Sequence, residues 1–484
     1  MQTEGSPALF DFSPVGGRRV VASFDGGAIT SNAGALLLGA TDRAINLVGR
    51  FAACFRDGRM PERVEHEVAT LVGQRIFGIA LGHEDVVDHG HLRHDPVLAV
   101  LAGKLAARPG PARRLRAAGR REHAEPARTR ARRRARPPPS HRPRRGRDRG
   151  AVRRPLPRGA PQGAAQADHP RPRRHRRSPA RAPGSEALLR TPKAGRFFHG
   201  YYDAYCCLPL YVFCGRHLLA ARLRRADIDA SAGAVEEVAR IVGQIRHHWP
   251  RARILLRAGS GFAREAIMAW CERNRVDFVF GLARNARLVE ELVIDLARAE
   301  EEASRTNRPA RPGPARRFRA FRWSTLDSWS RRRRVVGKAG WTRGEANPRF
   351  VVTSLKPGEI DARALYERVS CARGCARGEM ETRIKECQLD LFAGRASAAT
   401  MRANQLRLWF ASMACVLLCA PRRTGLAHTQ FAEATCGTLR LALLRIGALV
   451  RRPVRRIKVG MASAHPSQDE FALAHARLIA AAAR

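Results

Sequence analysis

Apolar residues along this chain follow two periods, and the change between them marks a change of architecture. Near the start the spacing is helical: Asn32 can cap a helix running through Ala35, Leu36, Leu37 and Ile45, and a second helical stretch covers Val64 to Ile79. After Arg196 the runs become extended. Tyr205 to Cys214 and His217 to Arg224 are two such runs joined by a Gly-Arg turn, which predicts a hairpin. Val235, Val238, Ile241, Val242 and Ile245 predict a helix over Ala234 to His248. A short strand (Ile254 to Arg257), a helix (Phe262 to Asn274) and another strand (Asp277 to Leu282) complete the unit. Strand, strand, helix, strand, helix, strand is an α/β layer pattern, with the later strands expected to be parallel. A helix over Leu288 to Ser304, a Pro-rich connector (Arg305 to Arg316) and a β-rich insertion with Trp323, Trp329 and Trp341 follow. Phe350 to Leu355 resumes the strand pattern. A helix starts near Arg377, and the rest is read as mostly helical and basic, with a charge run from Arg451 to Lys458.

One stretch has neither period. Leu105 to Gly195 carries about half of the +46 net charge and about half of the 29 prolines, and contains no Phe, Trp or Tyr. It cannot bury enough apolar surface to offset the entropy of ordering, so it is expected to be disordered. The remainder is still basic, which favours an anionic partner such as a polyphosphate backbone. With 484 residues and 44% hydrophobic content there is material for two or more domains. The longest apolar run, Trp409 to Ala420, is short for a bilayer span and is flanked by Arg407 and Arg422, so no membrane partner is expected. Met1 to Pro14 lacks the features of a secretory signal. Eleven cysteines at irregular spacing without a CxxC pair suit reduced thiols and a cytoplasmic location. Cys415 and Cys419 lie one helical turn apart among apolar residues and are read as core. Between Leu81 and Pro96 a dense cluster (His83, Glu84, Asp85, Asp88, His89, His91, His94) fits no standard zinc spacing and is read as a helix-end loop.

The order of these pieces, with their local words, resembles the bacterial insertion-sequence transposases of DDE group 1. The words are FDGGAITSNAGALLL (Phe24 to Leu38), GHEDVVDHGHLRHDP (Gly82 to Pro96), RFFHGYYDAYCCLPLYVF (Arg196 to Phe213), LLRAGSGFAREAIMAWCE (Leu255 to Glu272), FVFGLARNARL (Phe278 to Leu288) and RGEMETRIKECQLDLF (Arg377 to Phe392). The resemblance implies an α/β fold, an RNase H-like mixed sheet with helical N- and C-terminal flanks and a β-rich insertion. The division expected is a helical DNA-binding region (1–104), the Arg/Pro segment (105–195), the first part of the core (196–288), the insertion (289–349), the second part with the glutamate helix (350–425) and a basic helical C-terminal region (426–484). Two aspartates and a glutamate would bind two Mg²⁺ ions for cleavage and strand transfer at the ends of a mobile element. The partners implied are double-stranded DNA, as transposon ends and target, and further copies of the chain assembled on it.

The resemblance places the glutamate at Glu381, with three residues between it and its companion Arg377, so both are candidate catalytic residues and Glu381 is the candidate metal ligand. Met380, Ile384, Cys387 and Leu391 form the apolar face of this helix. Glu381, Lys385 and Gln388 form the neighbouring stripe, free to face a site. Without the resemblance, Glu381 and Lys385 would read as a surface pair at i,i+4. The family's Tyr before the Arg is replaced by Gly374, and CARG is repeated at Cys371 and Cys375. The second aspartate is absent: the family's Arg-Ala-Asp-Ser-Gly-Phe stands here as Arg257-Ala258-Gly259-Ser260-Gly261-Phe262. The first belongs to a strand just before RFFHGYY, where this chain reads His169 to Gly184 in Arg/Pro-rich sequence. With suitable synonymous codons, a frame one base later turns this stretch into Ile-Leu-Asp-Leu-Asp-Ala-Thr-Asp-Asp-Pro, with Asp at the position of Arg173. The expectation is a catalytically impaired, frameshifted or diverged transposase. The alternatives are a non-catalytic DNA-binding derivative, with the Arg/Pro tract as a genuine nucleic-acid arm, or an unfolded pseudogene product.

Overall fold

The structure is a computed structural model that describes residues 10–15, 18–22, 27–103, 197–199, 204–305, 315–342, 345–370, 376–451 and 456–483. The whole Arg/Pro stretch, including the position of Arg173, lies outside these residues. The described part is a mixed helix and strand fold. In chain order its strands are β1 (Phe10–Val15) and β2 (Arg18–Ala22), which form a hairpin; β3 (Ile29–Thr30); β4 (Phe197–His199) and β5 (Ala204–Cys206), paired with each other; and β6 (Leu210–Cys214) and β7 (His217–Arg222), a second hairpin. Then come β8 (Leu255–Ala258), β9 (Asp277–Leu282), β10 (Ala315–Trp323), β11 (Arg333–Thr342), β12 (Glu345–Ala346), β13 (Arg349–Thr353), β14 (Ala448–Arg451) and β15 (Lys458–Met461).

The main sheet runs β10-β11-β13-β9-β8, with β12 on β11. Only β8 and β9 are parallel, joined by the helix Glu265–Arg273; the pairs beyond β9 are antiparallel. A parallel neighbour requires a crossover, and this helix supplies it. β9 is the pivot. Phe278, Val279 and Phe280 are all buried, as expected of a strand covered on both faces. The helix Ala234–His248 forms over the length its periodicity predicts, with Glu236 and Glu237 in the first turn and Arg246, His247 and His248 in the last, matching the helix dipole. Its Val238 and Val242 pack into the core of the sheet with Ile267, Met268, Phe278 and Phe280.

The β-rich insertion is not separate from that sheet. β13 pairs with β9, and Trp323, Trp329 and Val335 belong to the same core. The Arg333 guanidinium on β11 is buried and reaches both Glu265 (2.7 Å) and Glu272 (2.8 Å) on the crossover helix. Arg333 in turn holds the Glu265 carboxyl down to about 2. A second core joins the two ends of the chain. Leu38, Ile76, Leu81 and Val97 from the N-terminal helices meet Ala411, Ala414, Leu417 and Leu418 from the helix Met401–Thr424. β14 pairs antiparallel with β3 and with β15, so the C-terminal run that reads as helical also supplies two strands. Met401–Thr424 is longer than its apolar run suggests, and by length and composition alone it could cross a membrane. Here its apolar residues fill this core, beside the buried Asn404, Ser412 and Arg422. Asn32, expected as a helix cap, instead donates its side-chain amide to Asp95 (2.8 Å), and Gly34 occupies the capping position.

Gly34 marks how close the two ends approach. A Cβ there would stand 1.9 Å from the Leu443 carbonyl oxygen, which is backbone and cannot swing aside. Gly34→Ala should therefore destabilise the fold by at least about 1–3 kcal/mol. Gly58→Ala, where a Cβ meets nothing, serves as the control. A urea midpoint unchanged in Gly34→Ala would show that the ends are not packed this way.

Candidate active site

The β6–β7 hairpin turns at Gly215, whose φ of 55° lies in the left-handed region. Beyond the named strands, Leu208 and Arg224 exchange backbone hydrogen bonds of 2.8 and 3.1 Å, which extends the pairing. The outer edge of β7 is covered by side chains. Gln405 accepts from the Leu223 amide (2.6 Å) and donates to the Ala221 carbonyl (3.1 Å), as a neighbouring strand would. Trp409 donates to the same carbonyl (3.1 Å). Among the described strands β6 pairs only with β7, and β8 pairs only with β9. Yet Leu210 of β6 shares a core with Leu256 and Ala258 of β8.

β8 delivers the chain to Gly259, at φ −73° and ψ 179°, an extended conformation open to any L-residue. A Cβ at this glycine meets nothing within 4 Å. The turn Ser260–Phe262 then lies against β9 at Gly281, where a Cβ would come within 3.0 Å of the Ser260 amide nitrogen. Gly281 thus supports the turn by its lack of a side chain. Sequence reading missed it, although its place inside a buried strand was a signal of close backbone approach.

The helix Ala376–Lys385 continues into a wider turn, Glu386–Asp390. Glu381 is exposed, as are Lys385 and, in part, Gln388, while Cys387 and Leu391 are buried. Ile384 packs with Tyr211, Ala221 and Leu408, which seats the helix on the β6–β7 hairpin. Arg377 belongs to the same helix, and its side chain is outside the described residues. Arg257 of β8 donates to the Val369 carbonyl (3.1 Å) in the segment that leads towards this helix. Two arginines fix the base of the helix. Glu386, buried, accepts from Arg383, from Arg422 (3.3 Å) and from the Cys436 amide (2.7 Å).

The histidine-rich cluster has a structural role. Asp95 caps the helix Pro96–Leu101 by accepting from the Val97 and Leu98 amides and also holds Thr30 (2.8 Å). Asp85 accepts from Arg407 (3.1 Å), and Glu84 pairs with Arg395. Among the described residues no group of three or more His, Cys, Asp or Glu is arranged to hold a metal ion.

The profile of the transposase DDE domain group 1 family matches residues 12–135 and 189–483. The chain belongs to this family. The match breaks between 136 and 188, the interval where the resemblance places the first aspartate. None of the curated proteins matches the chain. Membership makes this a transposase by descent, and DNA is the partner its family acts on.

Two half-buried histidines of the 81–96 cluster, His83 and His89, give a pH prediction. Burial, with Arg75 adding to it, lowers His89 to about 4 from the ordinary value of about 6.5. Burial also lowers His83. Between those values the unfolded chain binds more protons, so the stability is fully present above about pH 6.5 and is lost as the pH falls towards about 4. Urea midpoints should drop across this window, and His89→Gln should make the drop shallower. An identical pH profile in the variant would contradict a neutral His89 in the folded chain.

Proposed function

We propose that the chain is a DNA-binding transposase scaffold that cannot perform the metal-dependent cleavage and strand transfer of its family. The observation that carries this reading is Gly259. It stands at the end of β8, where the family word has an aspartate, and a glycine supplies no ligand. The family's chemistry uses two divalent ions held by three carboxylates. Of those three, this chain offers Glu381, which alone cannot neutralise two dications, so the residues present do not fit the group. The RNase H-like reading of β6 to β9 is supported by the hairpin, helix, strand, helix, strand order and by the parallel β8–β9 pair.

DNA binding rests on many Arg and Lys side chains rather than on three exact positions, so it should survive. Log affinity for element-end DNA should fall linearly and steeply with log salt, as counterion release requires. A salt-independent affinity would remove the electrostatic basis of the reading.

With Mg²⁺ or Mn²⁺ and element-end DNA, the purified chain should give no cleaved or joined product. Gly259→Asp should fold as well as the parent, since the site is open and its backbone unstrained, and should remain inactive. Metal-dependent strand transfer that disappears in Glu381→Ala would overturn the proposal.

A further inference from the structure

Of the nine described cysteines five are buried, and four of these converge from three segments. Cys387 follows the Glu381 helix, Cys415 and Cys419 lie on Met401–Thr424, and Cys436 opens the short helix Cys436–Leu439. Cys415 is central, within hydrogen-bonding reach of Cys387, Cys419 and Cys436. The Cys387 and Cys415 sulfurs are 3.5 Å apart, and they sit on different elements, so no helix geometry holds them from closing. Arg422 donates to Cys419 (3.1 Å) and to Cys436 (3.5 Å). The charges around the cluster do not cancel without a thiolate. Arg383 and Arg422 are buried with only Glu386 between them, two positive groups against one negative. Cys419 meets this need: the hydrogen bond from Cys415, and then Arg422, lower it to about 6 against its burial. Metal binding is a poor alternative, because no metal-holding group is formed among the described residues and a guanidinium already faces two of the sulfurs.

We propose that Cys387 and Cys415 are an oxidisable dithiol that hydrogen peroxide closes to a disulfide. The bond would lock the segment behind Glu381 to the central helix. Hydrogen bonds to its cysteine neighbours raise the Cys415 thiol while Cys419 is lowered, so the negative charge rests on Cys419 and reaches Cys415 in the minor fraction in which that thiol gives its proton to Cys419. The Cys415 thiolate attacks one peroxide oxygen, the O–O bond breaks, and a sulfenic acid and hydroxide form; the hydroxide takes the proton that Cys419 received and leaves as water, which restores the Cys419 thiolate. The Cys387 sulfur then attacks the sulfenic sulfur, and the departing hydroxide takes the Cys387 proton as a second water. Two thiols lose two electrons in all, and one peroxide is reduced to two waters.

The test uses the full chain, reduced, freed of reductant and treated with hydrogen peroxide, then alkylated and digested without reduction for mass spectrometry. Exposed Cys54 and Cys214 report that the oxidant acted. The expected result is a Cys387–Cys415 cross-linked peptide, lighter by two hydrogens than its two thiol peptides, formed in higher yield from the native chain than from the chain in guanidinium. Cys387→Ser should remove the cross-link and leave the Cys415 peptide open to alkylation. The proposal is overturned if both thiols stay free while Cys54 and Cys214 oxidise, if Cys415 pairs mainly with another cysteine, if the unfolded chain gives an equal yield, or if the native chain carries one stoichiometric Zn²⁺ that blocks the reaction.

Discussion

The pairing of strand edges is the constraint on which this structure turns. A buried backbone amide or carbonyl without a partner is costly, so every edge of a packed sheet must be paired or covered. The β7 edge meets this requirement through Gln405 and Trp409, which place a helix where another strand could lie. β6 and β8 face the same core, through Leu210 on one side and Leu256 on the other, but have no described strand on their second edges. A single strand between them would satisfy both. In the proposed reading that is the strand of the first aspartate, and the family match is broken over the same interval.

The rest of the described fold holds together without such a strand. The sheet continues on its other side through β13, β11 and β10, so β9 stays central with β8 at one border. Arg333 ties the added strands to the crossover helix through two carboxylates, and its burial is compensated because both partners are ionised and well placed. The other core does not depend on the main sheet at all, since it joins the N-terminal helices to the helix Met401–Thr424 and the C-terminal strands. The helix that bears Glu381 is held by this second core, through Cys387, Leu391 and Glu386, and by the hairpin through Ile384. The glutamate helix is therefore anchored without the strand that the proposed reading takes to be lost.

Local signals carried much of this into the sequence. Helical spacing at Val235, Val238, Ile241 and Val242 located Ala234–His248, the β9 run located a buried strand, and the Gly-Arg turn located the hairpin. What stayed hidden was long-range. Nothing local in FVVT states that β13 pairs with β9 rather than with a separate insertion, and nothing in Ala448 to Met461 states that two strands close on β3. Asn32 looked like a cap because Asn serves that role locally; its partner, Asp95, lies sixty-three positions away. For the site, the apolar face of the Glu381 helix and the vacancy at Gly259 were legible. The supporting role of Gly281 and the covering of β7 by Gln405 were not, because each depends on a neighbour distant in sequence.

Among the described strands β8 has one partner, where the proposed reading requires two for an intact catalytic core. Amide hydrogen exchange on the native chain, resolved to peptides covering β6, β8 and β9, measures it directly. The account predicts strong protection of Phe278 to Leu282 on β9, with much faster exchange along Leu255 to Ala258 and on the outer edge of β6. Equal protection of β8 and β9 would mean that a strand already occupies that edge, and the explanation for the missing aspartate would fail.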